Sequence, residues 1–270
     1  MILPNSVTVP GSDEQKLFYD TFGFLVLPQV YDRNEMQAID DAFEQLFDVR
    51  LKEEDKSRDE LPENLTIDPG FCERHPVLRA LTEDRRITET IDNVLGLDGF
   101  YASSDGHLYH GDTPWHADVG WGPNIPEGRN DPNLVNTLSP HYTIGLKAAM
   151  YLDPIVKETG ALRIVPGSHI SPLHEELAPL SSVLADYPEV ACDPRFAGFG
   201  TDPKDMPCHV VDSQPGDVLI FHSLIWHASF GGTLRRMFSM WHQSAGQAPR
   251  ERKVAKAMKD RAEGIAKQYA

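Results

Sequence analysis

The chain has 270 residues, 40% of them hydrophobic, and a formal net charge of −16 at pH 7. That acidity argues against non-specific nucleic-acid binding, which needs a basic face, while leaving room for a local basic pocket that takes an acidic small molecule. Cys72, Cys192 and Cys208 are unclustered and odd in number, the usage of a reducing compartment rather than of a disulfide framework. No run approaches the ~18 apolar residues of a membrane span. Met1-Ile2-Leu3-Pro4-Asn5 lacks the basic and apolar blocks of a signal peptide, and Lys267-Gln268-Tyr269-Ala270 is not a peroxisomal address. The expectation is a cytoplasmic protein with a small-molecule substrate and with neither nucleic-acid nor membrane partner. Nothing in the sequence assigns an oligomeric state.

Ser12-Asp13-Glu14-Gln15 reads as a capping box opening a short helix, with Gly23 near its end. Phe24-Leu25-Val26-Leu27 follows as a short buried strand. From Asp32 to about Leu51, the residues Met36, Ile39, Phe43, Leu46 and Phe47 recur at three- and four-residue spacing, the core-facing stripe of an amphipathic helix. Residues 52–66 are charged and loop-like, and a further helical stretch covers about Pro76 to Val94, ended by Gly96. From about Phe100 the texture changes to short apolar or alternating runs separated by Gly, Pro, Asn and Asp. Strands are expected near 100–109, 114–119, 143–152, 161–165, 208–212, 217–222, 226–230 and 235–243, and a charged helix from Arg250 to Gln268 closes the chain. Roughly eight strands after leading helices fit a double-sheet jelly roll. The expected organisation is one domain over 1–270: a helical buttress at 12–96, a jelly-roll core at 98–243 and the closing helix at 250–268. The irregular connections 120–142 and 170–207 read either as substrate-covering segments or as surface excursions.

The chemistry centres on Trp115-His116-Ala117-Asp118. His-x-Asp on a strand puts both side chains on one face. His227, far downstream, would complete a 2-His-1-carboxylate facial triad, the arrangement of non-haem Fe(II) oxygenases, with positions left open for a chelating cosubstrate and O2. His227 follows a Pro215-Gly216-Asp217 turn and an apolar strand that also carries His222. Lys147 interrupts the apolar run Ile144-Gly145-Leu146-Lys147-Ala148-Ala149-Met150, so it either snorkels outward or faces an acidic ligand inside. Trp121 is a pocket wall or a packing residue; with Lys147 it is the candidate for substrate contact.

Four motifs in order, Trp115-His116-Ala117-Asp118, the run from Glu158 to Pro166-Gly167-Ser168-His169, the Gly216-Asp217 strand leading to His227, and Arg235-Arg236, make the chain resemble the phytanoyl-CoA dioxygenase family of Fe(II)/2-oxoglutarate oxygenases. They span about residues 100–243. The resemblance implies a mainly β fold, the cupin-like double-stranded β-helix or jelly roll, holding iron in its open end. It implies Fe(II), 2-oxoglutarate and O2 as cofactors. It favours His227 over His222 as the ligand and gives His169 a turn role. It also implies an arginine on the strand after the distal histidine that pairs with the far carboxylate of 2-oxoglutarate. A guanidinium suits this, because it stays charged and grips a carboxylate with two donors. Arg235 matches that position, Ser239 shares its strand face, and Arg236 points to the other face. His107 and Tyr109, on one face of the strand before His-x-Asp, are further candidates for cosubstrate contact. The implied reaction is hydroxylation of an unactivated C–H bond, with release of succinate and CO2; the family's name suggests an acyl-CoA substrate, but the acidity and the absent peroxisomal address favour a small polar or natural-product molecule. Asp118 speaks against halogenation, since related halogenases replace the carboxylate with a small residue. Desaturation, cyclisation or epimerisation in natural-product biosynthesis at the same iron site is the alternative. A non-catalytic metal-binding jelly-roll module, for instance with Zn, is the third reading.

Overall fold

Two antiparallel sheets face each other in the computed structural model, which describes residues 11–57, 64–95, 99–118, 145–170, 172–177, 180, 205–231, 234–244 and 249–269. The first sheet runs β1 (Phe24–Leu27), β8 (Val218–His222), β5 (Gly145–Tyr151), β10 (Arg235–Ser244), β3 (Gly99–Tyr109), β2 (Asn64–Ile67). The second runs β4 (Thr113–His116), β9 (His227–Ser229), β6 (Leu162–Ile164), β7 (His209–Val211). Early and late strands alternate within each sheet, so the chain crosses repeatedly between the two layers, which is the cupin-like jelly roll. Among the described residues no helix is long and apolar enough to cross a membrane.

Strand alternation sorts the large sheet into two working faces. Phe238 and Met240 of β10 and Leu146, Ala148 and Met150 of β5 are buried on the outer face, in one core with Ile39, Phe43 and Phe47 of helix α2 (Arg33–Glu53). The intervening residues, Met237 and Ser239 on β10 and Lys147, Ala149 and Tyr151 on β5, line a cavity between the sheets. Helices therefore stiffen one face and leave the other for chemistry. Phe71 is the hinge of the outer core: its ring centroid lies 5.4 Å from that of Phe43, 5.8 Å from Phe47 and 5.7 Å from Phe238. A Cβ at Gly106 would stand 2.3 Å from that ring, so the strand needs glycine where Phe71 approaches.

The expected caps are present. Ser12 and Gln15 form the capping box of α1 (Asp13–Phe22), and Gly23 ends it in the left-handed conformation at φ 81°. Asp32 and Glu35 form a second capping box, not picked out from the sequence, at the start of α2. Arg236 points to the outer face, as expected, and binds Asp153 (2.6 and 2.8 Å), Asp40 (2.6 Å) and Glu44 (2.7 Å), clamping α2 to β10.

Two sequence expectations are corrected. The helical stretch 76–94 is two helices, α3 (Pro76–Leu81) and α4 (Arg85–Leu95). Asp84 interrupts it, because its carboxylate accepts from the backbone N–H of Arg86 (2.9 Å) and starts a new helix. The end of the loop-like segment 52–66 belongs to β2, whose Leu65 and Ile67 are buried as it pairs along β3. Trp121, the connection 120–142 and most of 170–207 lie outside the described residues.

Burial on the outer face also predicts an acid sensitivity. His242 is buried with its ring 5.6 Å from that of Tyr101, and desolvation pushes its imidazole from 6.5 down to about 4. The unfolded chain takes up a proton below pH 6.5 that the folded one refuses, so stability falls from there to about pH 4, by up to about 3 kcal/mol. Urea unfolding at pH 8 and pH 5 should show His242→Leu losing less stability on acidification than the wild type. An equal loss would discard this account.

Candidate metal centre

The centre is built where β4 and β9 pair. His116 and His227 are direct register partners, with ring centroids 4.1 Å apart. Asp118 lies just past the end of β4, its Oδ1 3.9 Å from the Nε2 of each histidine. One ligand atom from each of the three residues falls within 4.8 Å of the others. The Nδ1–H of His116 donates to the Pro114 carbonyl (2.8 Å), and that of His227 to the Ile225 carbonyl (2.9 Å). A carbonyl can only accept, so both rings carry their proton on Nδ1 and present the Nε2 lone pair. Burial pushes the His116 imidazole below its ordinary value and that of His227 down to about 3, which keeps both lone pairs free of protons. Burial would raise the Asp118 carboxyl, but the Lys147 ammonium, joined in acid by the imidazolium forms of the two histidines, outweighs it and holds the group below the usual carboxylate range. Asp118 Oδ2 is buried with no hydrogen-bond partner among the described residues. A buried carboxylate with one oxygen beside two imidazole lone pairs and the other without a donor is a donor set that fits a divalent metal.

Supporting residues fix this geometry. The Ser168 hydroxyl, in the turn that ends with His169, accepts from the Trp226 backbone N–H (2.8 Å), and the Trp226 indole donates to the His174 carbonyl (2.9 Å). The residue before His227 is thereby held from both sides. His169 thus belongs to a supporting turn. His222 is turned away from the centre: its Nδ1 accepts from the Leu224 N–H, and its ring lies 4.8 Å from that of His169.

A cavity of about 180 Å³ opens beside the centre, with His116, His227, Thr113 and Ser229 on its wall from the small sheet and Tyr151, Ala149, Met237 and Ser239 from the large one. At the start of β10, Arg235 is fully buried behind this wall. Its guanidinium donates to the Gly160 carbonyl (3.0 Å), to the Ser229 hydroxyl and to the Gly111 carbonyl. Gly160 has φ 100°, and a Cβ there would stand 2.3 Å from the Arg235 guanidinium, so glycine is required both for the turn and for the arginine.

Among the residues proposed from sequence, His116, Asp118 and His227 meet, and Lys147 faces inward. Its Nζ lies 3.1 Å from Asp118 Oδ1. Ser239 lines the cavity but does not meet Arg235: four residues along a strand is about 13 Å, and its hydroxyl donates to Asp105 (2.5 Å). The hydroxyl beside Arg235 is that of Ser229, which sequence analysis did not select. His107 lines the cavity, 3.3 Å from Asp105 and 3.1 Å from the Thr66 hydroxyl. Tyr109 pairs with Arg235 in the β3–β10 register. Asp105 was missed, although it shares the 105-107-109 face already singled out.

By sequence, residues 19–237 match the phytanoyl-CoA dioxygenase (PhyH) family. No curated protein matches the chain. Among solved structures it is similar to HygX from Streptomyces hygroscopicus with nickel and 2-oxoglutarate bound (19% identity, 86% of each chain, TM-score 0.59). It is also similar to the non-heme alpha ketoglutarate dependent carbocyclase SnoK from nogalamycin biosynthesis (21% identity, 87% of this chain and 84% of that one, TM-score 0.59). A third is EctD from S. alaskensis with 2-oxoglutarate and 5-hydroxyectoine (17% identity, 90% and 78%, TM-score 0.56). At these identities the likeness is one of fold. The family match is of another kind, since it runs from α1 to β10 and takes in the three clustered ligands as well as Arg235: the chain belongs to the phytanoyl-CoA dioxygenase (PhyH) family.

Proposed function

We propose that the chain is a non-haem Fe(II)/2-oxoglutarate-dependent dioxygenase that hydroxylates an unactivated C–H bond of a small molecule. The observation that carries this reading is the convergence of two Nε2 lone pairs and the buried Asp118 carboxylate, one oxygen of which has no hydrogen-bond partner among the described residues, beside a cavity lined by both histidines. His116, His227 and Asp118 would hold Fe(II). When bound, iron with 2-oxoglutarate supplies the coupling of O2 reduction to oxidative decarboxylation, so that substrate C–H, O2 and 2-oxoglutarate become C–OH, succinate and CO2.

The chain's own residues do the rest. Ser229, with the Arg235 guanidinium directly behind it, forms a positive closed end for the far carboxylate of 2-oxoglutarate. Leu162, Tyr151 and Met237, also on the cavity wall, suit its methylene carbons. Thr113, the register partner of Ser229, adds a second hydroxyl on that wall. Lys147, His107 and Asp105 line the same cavity, where a polar substrate would meet hydrogen-bonding groups.

The carbocyclase among the structural neighbours favours one second reading, in which the same site closes a ring. The purified chain with Fe(II), ascorbate and a panel of small polar metabolites tests both. Substrate-dependent succinate release is expected, with a product that has gained one oxygen atom. A product lighter by two hydrogens would favour cyclisation or desaturation, and an unchanged mass epimerisation. A chain that binds neither Fe(II) nor 2-oxoglutarate would end the reading.

A further inference from the structure

Lys147 is the one charged residue of β5, a strand otherwise made of Gly, Leu, Ala, Met and Tyr, and it is nearly buried. Burying an ammonium is costly unless it is paired. Its nearest partner is Asp118 Oδ1 at 3.1 Å, and Asp105 Oδ2 lies at 3.7 Å. Asp105 is itself anchored, by the Ser239 hydroxyl at 2.5 Å and by His107 at 3.3 Å.

Among the described residues, the Lys147 ammonium is the group that bridges the Asp118 and Asp105 carboxylates. A divalent cation entering between His116, His227 and Asp118 brings a second positive charge to the same carboxylate, and the ammonium opposes it. We propose that Lys147 is the internal counter-ion of the metal centre. It holds the Asp118 carboxylate in place before the metal arrives, lowers the affinity with which the metal binds, and stays paired through Asp105 once the metal has taken Asp118. This rests on the iron-site reading above and assigns Lys147 a positioning role toward Asp118 in place of recognition of an acidic substrate.

Lys147→Gln removes the charge while keeping a polar donor on the side chain, one bond short of the ammonium's position. Metal-free full-length protein would be titrated with Mn(II), which reads affinity without turnover. K147Q is expected to bind Mn(II) about tenfold more tightly than the wild type. Metal-free K147Q should melt below the wild type, and saturating Mn(II) should narrow that gap. Unchanged or weaker Mn(II) binding by folded K147Q overturns the proposal. Where metal-free K147Q does not fold, the Mn(II)-loaded variant is mixed with chelator: release slower than in the wild type supports the proposal, and equal or faster release overturns it. A wild-type chain that binds no Mn(II) would instead overturn the iron-site reading, and this inference with it.

Discussion

Alanine in place of Asp118, His116 or His227 is expected to abolish 2-oxoglutarate-dependent succinate release, while His222→Ala leaves it largely intact. Each of the three supplies one ligand atom to a cluster that has no fourth His, Cys, Asp or Glu among the described residues. Removing Asp118 takes away the only formal charge among the ligands and leaves Lys147 beside two neutral imidazoles, a site that repels a cation. The fall in kcat/KM should be at least on the order of thousandfold, equivalent to about 4 kcal/mol of transition-state stabilisation. His222 is the informative control. It is only five residues from His227, yet its ring packs against His169 and its Nδ1 is taken by the Leu224 N–H. Mn(II) titration of each variant, with circular dichroism to confirm folding, separates the two histidines. Full turnover by Asp118→Ala, or lost metal binding by a folded His222→Ala, would reject the assignment.

The difference between these two histidines shows which part of the site was legible in the sequence. His-x-Asp is a local pattern, and strand alternation alone predicts that both side chains share a face. That His227 rather than His222 meets them depends on β9 pairing with β4, a contact between residues more than a hundred positions apart. No local periodicity encodes such a pairing; it came from the resemblance of the whole motif set. The same limit explains the serine. Ser239 does share the strand face of Arg235, so the alternation argument was sound, but the guanidinium reaches across to the other sheet and finds Ser229. Asp105 was passed over because a carboxylate on a strand reads as a solvent-facing residue until its partners are known. Two of these, Lys147 and Ser239, come from other strands of the same sheet. Strand β2 was hidden for a simpler reason: four residues are too few for alternation to stand out at the end of a charged segment.

Arg235→Met is expected to raise the KM for 2-oxoglutarate by roughly tenfold to a hundredfold, the equivalent of one lost charge-assisted hydrogen bond, with little change in Mn(II) affinity. The guanidinium is fully buried and already fixed by the Gly160 and Gly111 carbonyls and the Ser229 hydroxyl, so a carboxylate arriving at Ser229 finds the positive charge in place. Preorganisation of this kind means that little is spent on ordering the arginine when the cosubstrate binds. Arg235→Lys should recover part of the affinity, because it restores a charge but not the planar fork that spans three acceptors. Ser229→Ala should cost only a few-fold, since the charge behind it remains. The same arginine braces the turn at Gly160, so Arg235→Met should also lower the melting temperature, and the two effects must be told apart. Lost packing would reduce turnover at every 2-oxoglutarate concentration, whereas a lost anchor is overcome by raising it. Measured against 2-oxoglutarate concentration, Arg235→Met should therefore approach the wild-type kcat at saturation. A KM equal to that of the wild type would leave Arg235 a structural brace and place the cosubstrate carboxylate elsewhere in the cavity, where Lys147 is the lysine on its wall among the described residues.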